Sequence, residues 1–126
     1  MDRLHARSGS PYETAIGFSR AVRVGHTLAV SGTAPVWPDG HVDPDAAIQA
    51  RRCWEIALAA LTELGGRVEG VVRTRQYVVR LDVADAVGVV HGEVFGEVRP
   101  ASTMVVVAGL LDPRWLVEVE LDAVVD

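Results

Sequence analysis

Lysine is absent from this 126-residue sequence, in which all 12 basic residues are arginine. This absence excludes catalysis through a lysine Schiff base and a phosphate-binding loop of the Walker type, because both require a lysine amine. Positive charge is also scarce overall, since 17 acidic residues give a net charge of −5. Binding to nucleic-acid phosphates requires clustered lysine or arginine, so we expect neither RNA nor DNA as a partner.

Cysteine is almost as rare. Cys53 has no second cysteine to pair with, so no internal disulfide can form, and a lone thiol suits a reducing, cytoplasmic location. The four histidines lack the spacing of metal ligands, and we predict no metal site and no cofactor. The polar start MDRLHARSGS gives no sign of a signal peptide. The longest apolar run, MVVVAGLL, is far shorter than the roughly 20 residues that cross a bilayer, so no membrane partner is expected.

Hydrophobic residues, by contrast, are abundant. They make up 49% of the chain, only 23% is charged, and the mean hydropathy is +0.22. This composition excludes a disordered chain. A chain of this length supports one core, so we predict a single domain over residues 1–126. The apolar content is high for so small a monomer, which favours an oligomer.

Periodicity and turn residues predict an α+β fold with the element order β-β-α-β-α-β-β. The predicted strands span 18–24, 27–32, 69–81, 101–108 and 115–125. The predicted helices span 45–64 and 83–96, with Asp43 or Asp45 capping the first and Asp82 capping the second. Two helices cover only one face of this sheet, so the other face must be exposed to solvent or covered by a partner.

Acidic and apolar residues alternate along the last predicted strand. Glu118 and Glu120 therefore share one sheet face, opposite the valines that precede and follow them. Alternating carboxylates are typical of a solvated face, where they would pair with Arg73 and Arg75 of another strand. On this pattern alone, a structural role for Glu118 is favoured over a catalytic one.

Four stretches of the sequence, in their order and spacing, carry a family resemblance. FSRAVRVGHTLAVSGTAP is similar to an opening hairpin, RRCWEIALAALTELGG to a first helix, VVRTRQYVVRLDVADAVGVVHGEVFGEVRPAS to a central strand and second helix, and LVEVELDAVV to a closing strand. Together they resemble the reactive intermediate deaminase family, also called the YjgF or Rid family. The resemblance implies a chorismate-mutase-like fold, with a mixed sheet carrying both helices on one face, and a homotrimer with small-molecule pockets at its subunit interfaces. Its deaminating members hydrolyse 2-imino or enamino acids to keto acids and ammonia.

The resemblance also suggests roles for particular residues. Glu118 stands at the position of the family's water-positioning glutamate, so we predict it as the catalytic acid/base. Ser102, in RPAST, replaces the arginine that binds the substrate carboxylate, and a hydroxyl supplies one neutral hydrogen bond instead of a bidentate fork. Ser102 and Thr103 are expected to line the pocket, although bonding to nearby backbone is the commoner fate of such hydroxyls. Phe18 replaces a tyrosine, and Arg20, on the same strand face, could supply the missing positive charge.

Three further residues complete the candidate substrate-binding set. Ser31 and His91 could form a serine–histidine catalytic pair, but no nucleophile-elbow sequence surrounds Ser31, which disfavours that role. We keep Ser31, Gly32 and His91 as candidate substrate-binding residues instead.

Two functions stay open at this point. One is an enzyme that hydrolyses or tautomerises a reactive imine or enamine, and the other is a non-catalytic, small-molecule-binding trimer that has lost deaminase activity. Endoribonuclease activity, which is attributed to some relatives, is disfavoured by the negative charge.

Overall fold

The computed structural model describes residues 2–126, within which six strands form one sheet beside two long helices. The strands are β1 (Arg3–Ala6), β2 (Ala21–Val24), β3 (Thr27–Thr33), β4 (Val71–Val78), β5 (Ala101–Val106) and β6 (Val117–Val124), and the helices are α1 (Ala46–Glu63) and α2 (Ala84–Phe95). The α+β class and the predicted order of elements from residue 18 onward are therefore confirmed. Within residues 2–126, no helix is long and apolar enough to cross a membrane.

Strand β1 differs from the prediction, which placed no strand before residue 18. Three of its four residues are exposed, and only Ala6 is buried. The strand pairs antiparallel with β2, with Ala6 opposite Ala21. Because backbone pairing holds it at the sheet edge, its polar sequence carries no period-two pattern that would reveal it.

The sheet order is β1-β2-β3-β6-β4-β5. Strand β6 lies in the centre, antiparallel to β3 and to β4, whereas β4 and β5 are parallel, so the sheet is mixed as predicted. Its central position explains the alternation in β6. Val117, Val119 and Leu121 are fully buried against the helices, while Glu118 and Glu120 lie on the opposite face.

Helix α1 begins as predicted at an aspartate cap. Asp45 accepts a hydrogen bond from the Ile48 backbone N–H at 3.0 Å, which selects it over Asp43. Helix α2 forms close to its predicted bounds, but its predicted cap is wrong. Asp82 lies in a short 3₁₀ turn and bonds Arg80 at 2.9 Å, and Val83 takes the cap position without a side-chain hydrogen bond.

The Asp45 cap gives a direct stability test. Asp45→Ala is expected to lower the free energy of unfolding by about 1 kcal/mol, because it leaves an N-terminal backbone N–H without its acceptor. Asp45→Asn keeps an acceptor oxygen and should stay close to the parent protein. Urea denaturation of both variants measures the difference, and an alanine variant as stable as the asparagine variant would contradict this role.

A buried glutamine fixes the chain segment that enters β6. The Gln49 side chain on α1 donates to the carbonyls of Asp43 (2.7 Å) and Arg114 (2.9 Å), and it accepts from the Leu116 backbone N–H at 2.7 Å. All of its hydrogen-bonding groups are satisfied by backbone. Trp115, which lies between two of these contacts, is thereby held beside the first turns of α1 and the start of β6.

Candidate functional site

A cavity of about 440 Å³ lies beside the junction of β2, β3 and β6. Four of the predicted site residues line it: Phe18, Arg20, Gly32 and Glu118. The rest of its wall is formed by Ser8, Ser10, Tyr12, Glu13, Ile16, Ala34, Leu111, Asp112 and Trp115. The four predicted residues lie on one wall, and residues from the N-terminal segment and from the loop before β6 complete the cavity.

Arg20 is fixed by the β2–β3 hairpin. Its Nη2 group donates to the Ser31 hydroxyl and to the Gly32 carbonyl, and the Ser31 backbone N–H donates back to the Arg20 carbonyl at 3.0 Å. The pairing of β3 with β6 shifts register between Val30 and Thr33. Such a bulge frees backbone groups from the ladder, and here the Gly32 carbonyl becomes available to the guanidinium.

Gly32 also sets the position of Glu118. A Cβ atom added at Gly32 would lie 3.2 Å from the Glu118 carboxylate oxygen Oε1. This spacing is tight, so any larger side chain would press on the carboxylate. The glycine thus allows Glu118 to lie against the hairpin that holds Arg20.

Glu118 is a half-buried carboxylate on β6, and within residues 2–126 no side chain or backbone group forms a hydrogen bond or ion pair with it. Burial raises the pKa of Glu118, the neighbouring Glu120 raises it further, and the positive charge of Arg20 opposes the rise. The pKa lies above its ordinary value of 4.5, the direction predicted for an acid/base at this position. A free carboxyl group with a raised pKa takes up a proton more readily than an ordinary glutamate, which suits proton transfer.

The raised pKa of Glu118 has a consequence for stability. Because this carboxyl binds its proton more tightly in the folded state, the folded protein loses stability as the pH rises from the unfolded pKa of 4.5 through the folded pKa. Glu118→Gln removes this penalty, so its melting temperature should exceed that of the parent at pH 7 and match it near pH 4. Thermal melts at both pH values test this, and a difference that is the same at both would contradict the assignment.

Glu120, the next acidic residue on the same face, has a different environment. It accepts a hydrogen bond from the Tyr77 hydroxyl and lies 3.8 Å from Arg75, which also pairs with Asp122 at 3.3 Å. Of the predicted cross-strand ion pairs, Arg75–Glu120 therefore forms, whereas Arg73 and Glu118 take part in none among residues 2–126. Glu120 belongs to a structural network, whereas Glu118 faces the cavity unpaired.

Glu13 is a site residue that the sequence did not reveal. Only 5% of its surface is exposed, and it accepts hydrogen bonds from the Ser8 backbone N–H at 3.0 Å and from the Ser8 hydroxyl. Although burial raises the pKa of Glu13, these bonds and the charge of Arg20 lower it more, so the net shift is downward. The downward shift favours the ionised form of Glu13, whereas the upward shift makes Glu118 the carboxyl that is protonated more readily.

Ser102 and His91 lie elsewhere in the subunit. The Thr74 hydroxyl bonds His91 Nε2 at 2.7 Å and donates to the Ser102 hydroxyl at 2.8 Å, and Gln76 Nε2 donates to Ser102 at 3.2 Å. In the sheet register, Thr74 and Ser102 are paired and face the helices. Glu118 faces the other way, so a single chain does not bring Ser102 and His91 to the cavity.

Thr103 and Ser31 also lie outside the cavity wall. Thr103 pairs with Arg75 on the same sheet face as Glu118, but β5 is the edge strand and lies two positions from β6. Ser31 contributes indirectly through its hydrogen bond to Arg20. Residues 2–126 contain no group of three histidine, cysteine or acidic side chains placed to hold a metal ion.

Comparison with known proteins agrees with the fold and with this arrangement of strands. Residues 9–125 match the family model described as Endoribonuclease L-PSP. The chain is 41% identical over 120 residues to an uncharacterised protein of Streptomyces coelicolor, SCO2049, covering 93% of this chain and 88% of that one. It is 33% identical over 95 residues to a RutC family protein of Pyrococcus abyssi, covering 74% and 75% of the two chains.

A solved structure gives the same result in three dimensions. Rv2704 of Mycobacterium tuberculosis, a member of the YjgF/YER057c/UK114 family, superposes with a TM-score of 0.90 at 40% identity, covering 98% of this chain and 100% of that one. The matches in sequence and in fold cover nearly the whole molecule. The chain therefore belongs to the YjgF/Rid family.

Proposed function

We propose that this protein is a small-molecule hydrolase that converts a reactive imine or enamine to a carbonyl compound and ammonia, with Glu118 as its acid/base. The observation that carries the proposal is the state of Glu118: half-buried, unpaired, with a raised pKa, and facing a cavity beside a fixed arginine. Structural carboxylates in sheets are usually paired, as Glu120 is here. A carboxyl left free in a cavity is suited to proton transfer.

The reaction moves two protons from the attacking water to the leaving nitrogen, and Glu118 carries both in turn. The Glu118 carboxylate accepts a proton from water as the water oxygen bonds to the imine carbon, and the C=N double bond becomes a single bond to nitrogen. The neutral Glu118 carboxyl then donates its proton to that nitrogen. Glu118 next accepts the proton of the new hydroxyl group and passes it to the amino nitrogen, the C–N bond breaks, ammonia leaves, and the carbon–oxygen bond becomes a carbonyl. An enamine is first protonated on its carbon by the neutral Glu118 carboxyl, and water then attacks the resulting iminium ion while the Glu118 carboxylate accepts the water proton.

Arg20 supplies the positive charge that the family pattern places at residue 102. Its Nη2 group is used by Ser31 and Gly32, which leaves other N–H groups of the guanidinium for a ligand. Because Arg20 and Glu118 line the same cavity, a carboxylate next to the imine carbon can bind Arg20 while the imine faces Glu118. This arrangement makes the loss of an arginine at Ser102 compatible with activity.

The proposal includes a homotrimer in which a second copy brings Ser102, Thr103 and His91 toward the Glu118 cavity. The exposed β5 edge and the polar sheet face that the helices leave uncovered support such an assembly. Light scattering at micromolar concentration should give a mass three times that of the 13.5-kDa chain. A stable monomer would leave these three residues without a role in the site.

We expect 2-iminopropanoate to be a poor substrate. Arg20 is the one cationic anchor that we assign to its carboxylate, because Ser102 in place of the family arginine offers only a single O–H, and the small methyl side chain fills little of the cavity. An amino-acid oxidase can generate the imine from alanine, and the rate of keto-acid formation above the spontaneous rate measures the activity. Rapid turnover would show that Ser102 does not limit catalysis.

A non-catalytic binding protein is the second candidate, and the same Ser102 contacts favour it. The Ser102 hydroxyl already accepts hydrogen bonds from Thr74 and Gln76, so its single O–H is all that it can donate to a ligand, in place of an arginine fork. If the protein only binds its ligand, the ligand should occupy the Glu118 cavity and no imine should be hydrolysed. Ammonia release from a panel of oxidase-generated imines separates the two.

A further inference from the structure

A second cavity, of about 650 Å³, adjoins the Glu118 cavity and shares part of its wall. Tyr12, Arg20 and Trp115 line both. Beyond this shared wall the second cavity is lined by Trp37, Arg52 and Arg114, among others, and we name it the aromatic chamber. The proposed hydrolysis uses none of the residues that line the chamber alone.

The walls of the aromatic chamber are flat groups held in fixed positions. The Arg52 guanidinium lies over the Trp37 ring, 4.1 Å from the ring centre, and its Nε donates to the Val36 carbonyl at 3.1 Å. The Arg114 guanidinium is held by both carboxylate oxygens of Asp112 and by the Gly40 carbonyl at 3.2 Å. Both guanidinium groups and indole rings are planar and stack on aromatic rings. The chamber therefore offers stacking surfaces on several sides.

Two aromatic rings in the chamber remain partly open to solvent. Tyr12 is 67% exposed and Trp37 is 36% exposed. Large apolar side chains exposed beside a catalytic cavity mark a surface that a ligand covers.

Two N–H donors at the shared wall lack acceptors. Arg20 Nε and Trp115 Nε1 are buried, and no acceptor within the described chain has hydrogen-bonding geometry with either. Buried donors normally find partners, and a ligand oxygen between the two cavities would provide one. The shared wall is thus suited to the oxygen-bearing end of a ligand whose other end enters the chamber.

We infer that the aromatic chamber binds the side chain of the substrate and that the preferred substrates are 2-imino acids with an aromatic side chain. This inference rests on the proposed function. The carboxylate binds Arg20, the imine carbon faces Glu118, and the ring lies against Tyr12 and Trp37. A substrate as small as 2-iminopropanoate leaves the chamber empty.

The test uses stable keto acids, which are the products of the proposed reaction, so it does not depend on turnover. Binding of phenylpyruvate, 3-cyclohexyl-2-oxopropanoate and pyruvate is measured by calorimetry and by tryptophan fluorescence. Phenylpyruvate is expected to bind about 10- to 100-fold more tightly than pyruvate, because its ring is buried in the chamber. It should also bind more tightly than the cyclohexyl compound, which has similar bulk but cannot stack. Equal affinities for phenylpyruvate and pyruvate, or tighter binding of the cyclohexyl compound, would overturn the inference.

Variants locate the ring. Trp37→Leu and Tyr12→Leu change exposed side chains, so both should fold, and each should reduce the ratio of phenylpyruvate to pyruvate affinity at least threefold. Arg51→Gln is the matched control, because Arg51 precedes Arg52 on α1 but pairs with Glu93 away from the chamber. A ratio unchanged in both leucine variants would place the ring elsewhere.

Glu118→Gln separates this inference from the proposed function. It removes the acid/base but leaves the chamber intact, so the phenylpyruvate preference should persist in an inactive protein. If no imine is hydrolysed but the preference and its loss in Trp37→Leu are seen, the binding inference stands and the catalytic proposal fails. If an imine is hydrolysed without any preference for aromatic compounds, the catalytic proposal stands and the binding inference fails.

Discussion

Replacing Glu118 with glutamine is expected to lower turnover about 10²–10⁴-fold, the usual contribution of a general acid/base. The amide keeps the size of the side chain and can still hydrogen-bond water, but it can neither accept nor donate the required proton. Because we assign substrate binding mainly to Arg20 and the cavity walls, we expect the KM to change much less than kcat. Ammonia release from an oxidase-generated imine measures both.

Glu120→Gln is the control for this prediction. Glu120 lies on the same strand face, but its carboxylate is engaged by Tyr77 and Arg75. Its substitution should weaken that network and lower stability modestly while turnover stays near that of the parent. Equal losses of turnover in the two variants would indicate a general electrostatic effect, and full activity in Glu118→Gln would remove Glu118 from the mechanism.

The second large effect is expected at Arg20. Arg20→Gln should weaken binding of keto acids about 10- to 100-fold, since charge-assisted hydrogen bonds to a carboxylate contribute about 1.5–3 kcal/mol. Arg20→Lys keeps the charge but not the planar fork, so it should recover part of the affinity.

A neutral ligand distinguishes binding by Arg20 from its structural role. Arg20 also holds Ser31 and Gly32, so a substitution could distort the hairpin and weaken every ligand. The primary amide of the same keto acid lacks the negative charge and should lose little affinity in Arg20→Gln. Equal losses for the acid and its amide would mean that Arg20 only positions the hairpin.

The sequence predicted those parts of the fold that carry a regular pattern. Helix α1 has a long apolar repeat and an aspartate cap, and β6 alternates strictly because it is central and buried on one face. Strand β1 lacks any such pattern, since backbone pairing with β2 alone holds it. The predicted cap of α2 is wrong because the Asp82 carboxylate accepts a hydrogen bond from Arg80 in a preceding 3₁₀ turn instead of from the helix backbone. The residue type alone does not show which of these two donors the aspartate will bind.

The candidate site was predictable only in part. Glu118 and Arg20 were identified from a family position and a strand face. Glu13 and Trp115, in contrast, come from segments without periodicity and reach the cavity through tertiary contacts. The separation of Ser102 from Glu118 follows from sheet register, which places them on opposite faces, and register between distant strands is not visible in the local sequence.

The titration of Glu118 itself tests the account most directly. Carbon-13 labelling of the glutamate side chains allows its carboxyl resonance to be followed by NMR, with the assignment made from the signal that Glu118→Gln lacks. We expect a midpoint above 4.5 and a change in that midpoint when phenylpyruvate binds, since the proposed pose puts the carboxylate and carbonyl of the ligand beside this group. A resonance that titrates at 4.5 and does not respond to the keto acid would contradict the assignment of Glu118 as the acid/base of this cavity.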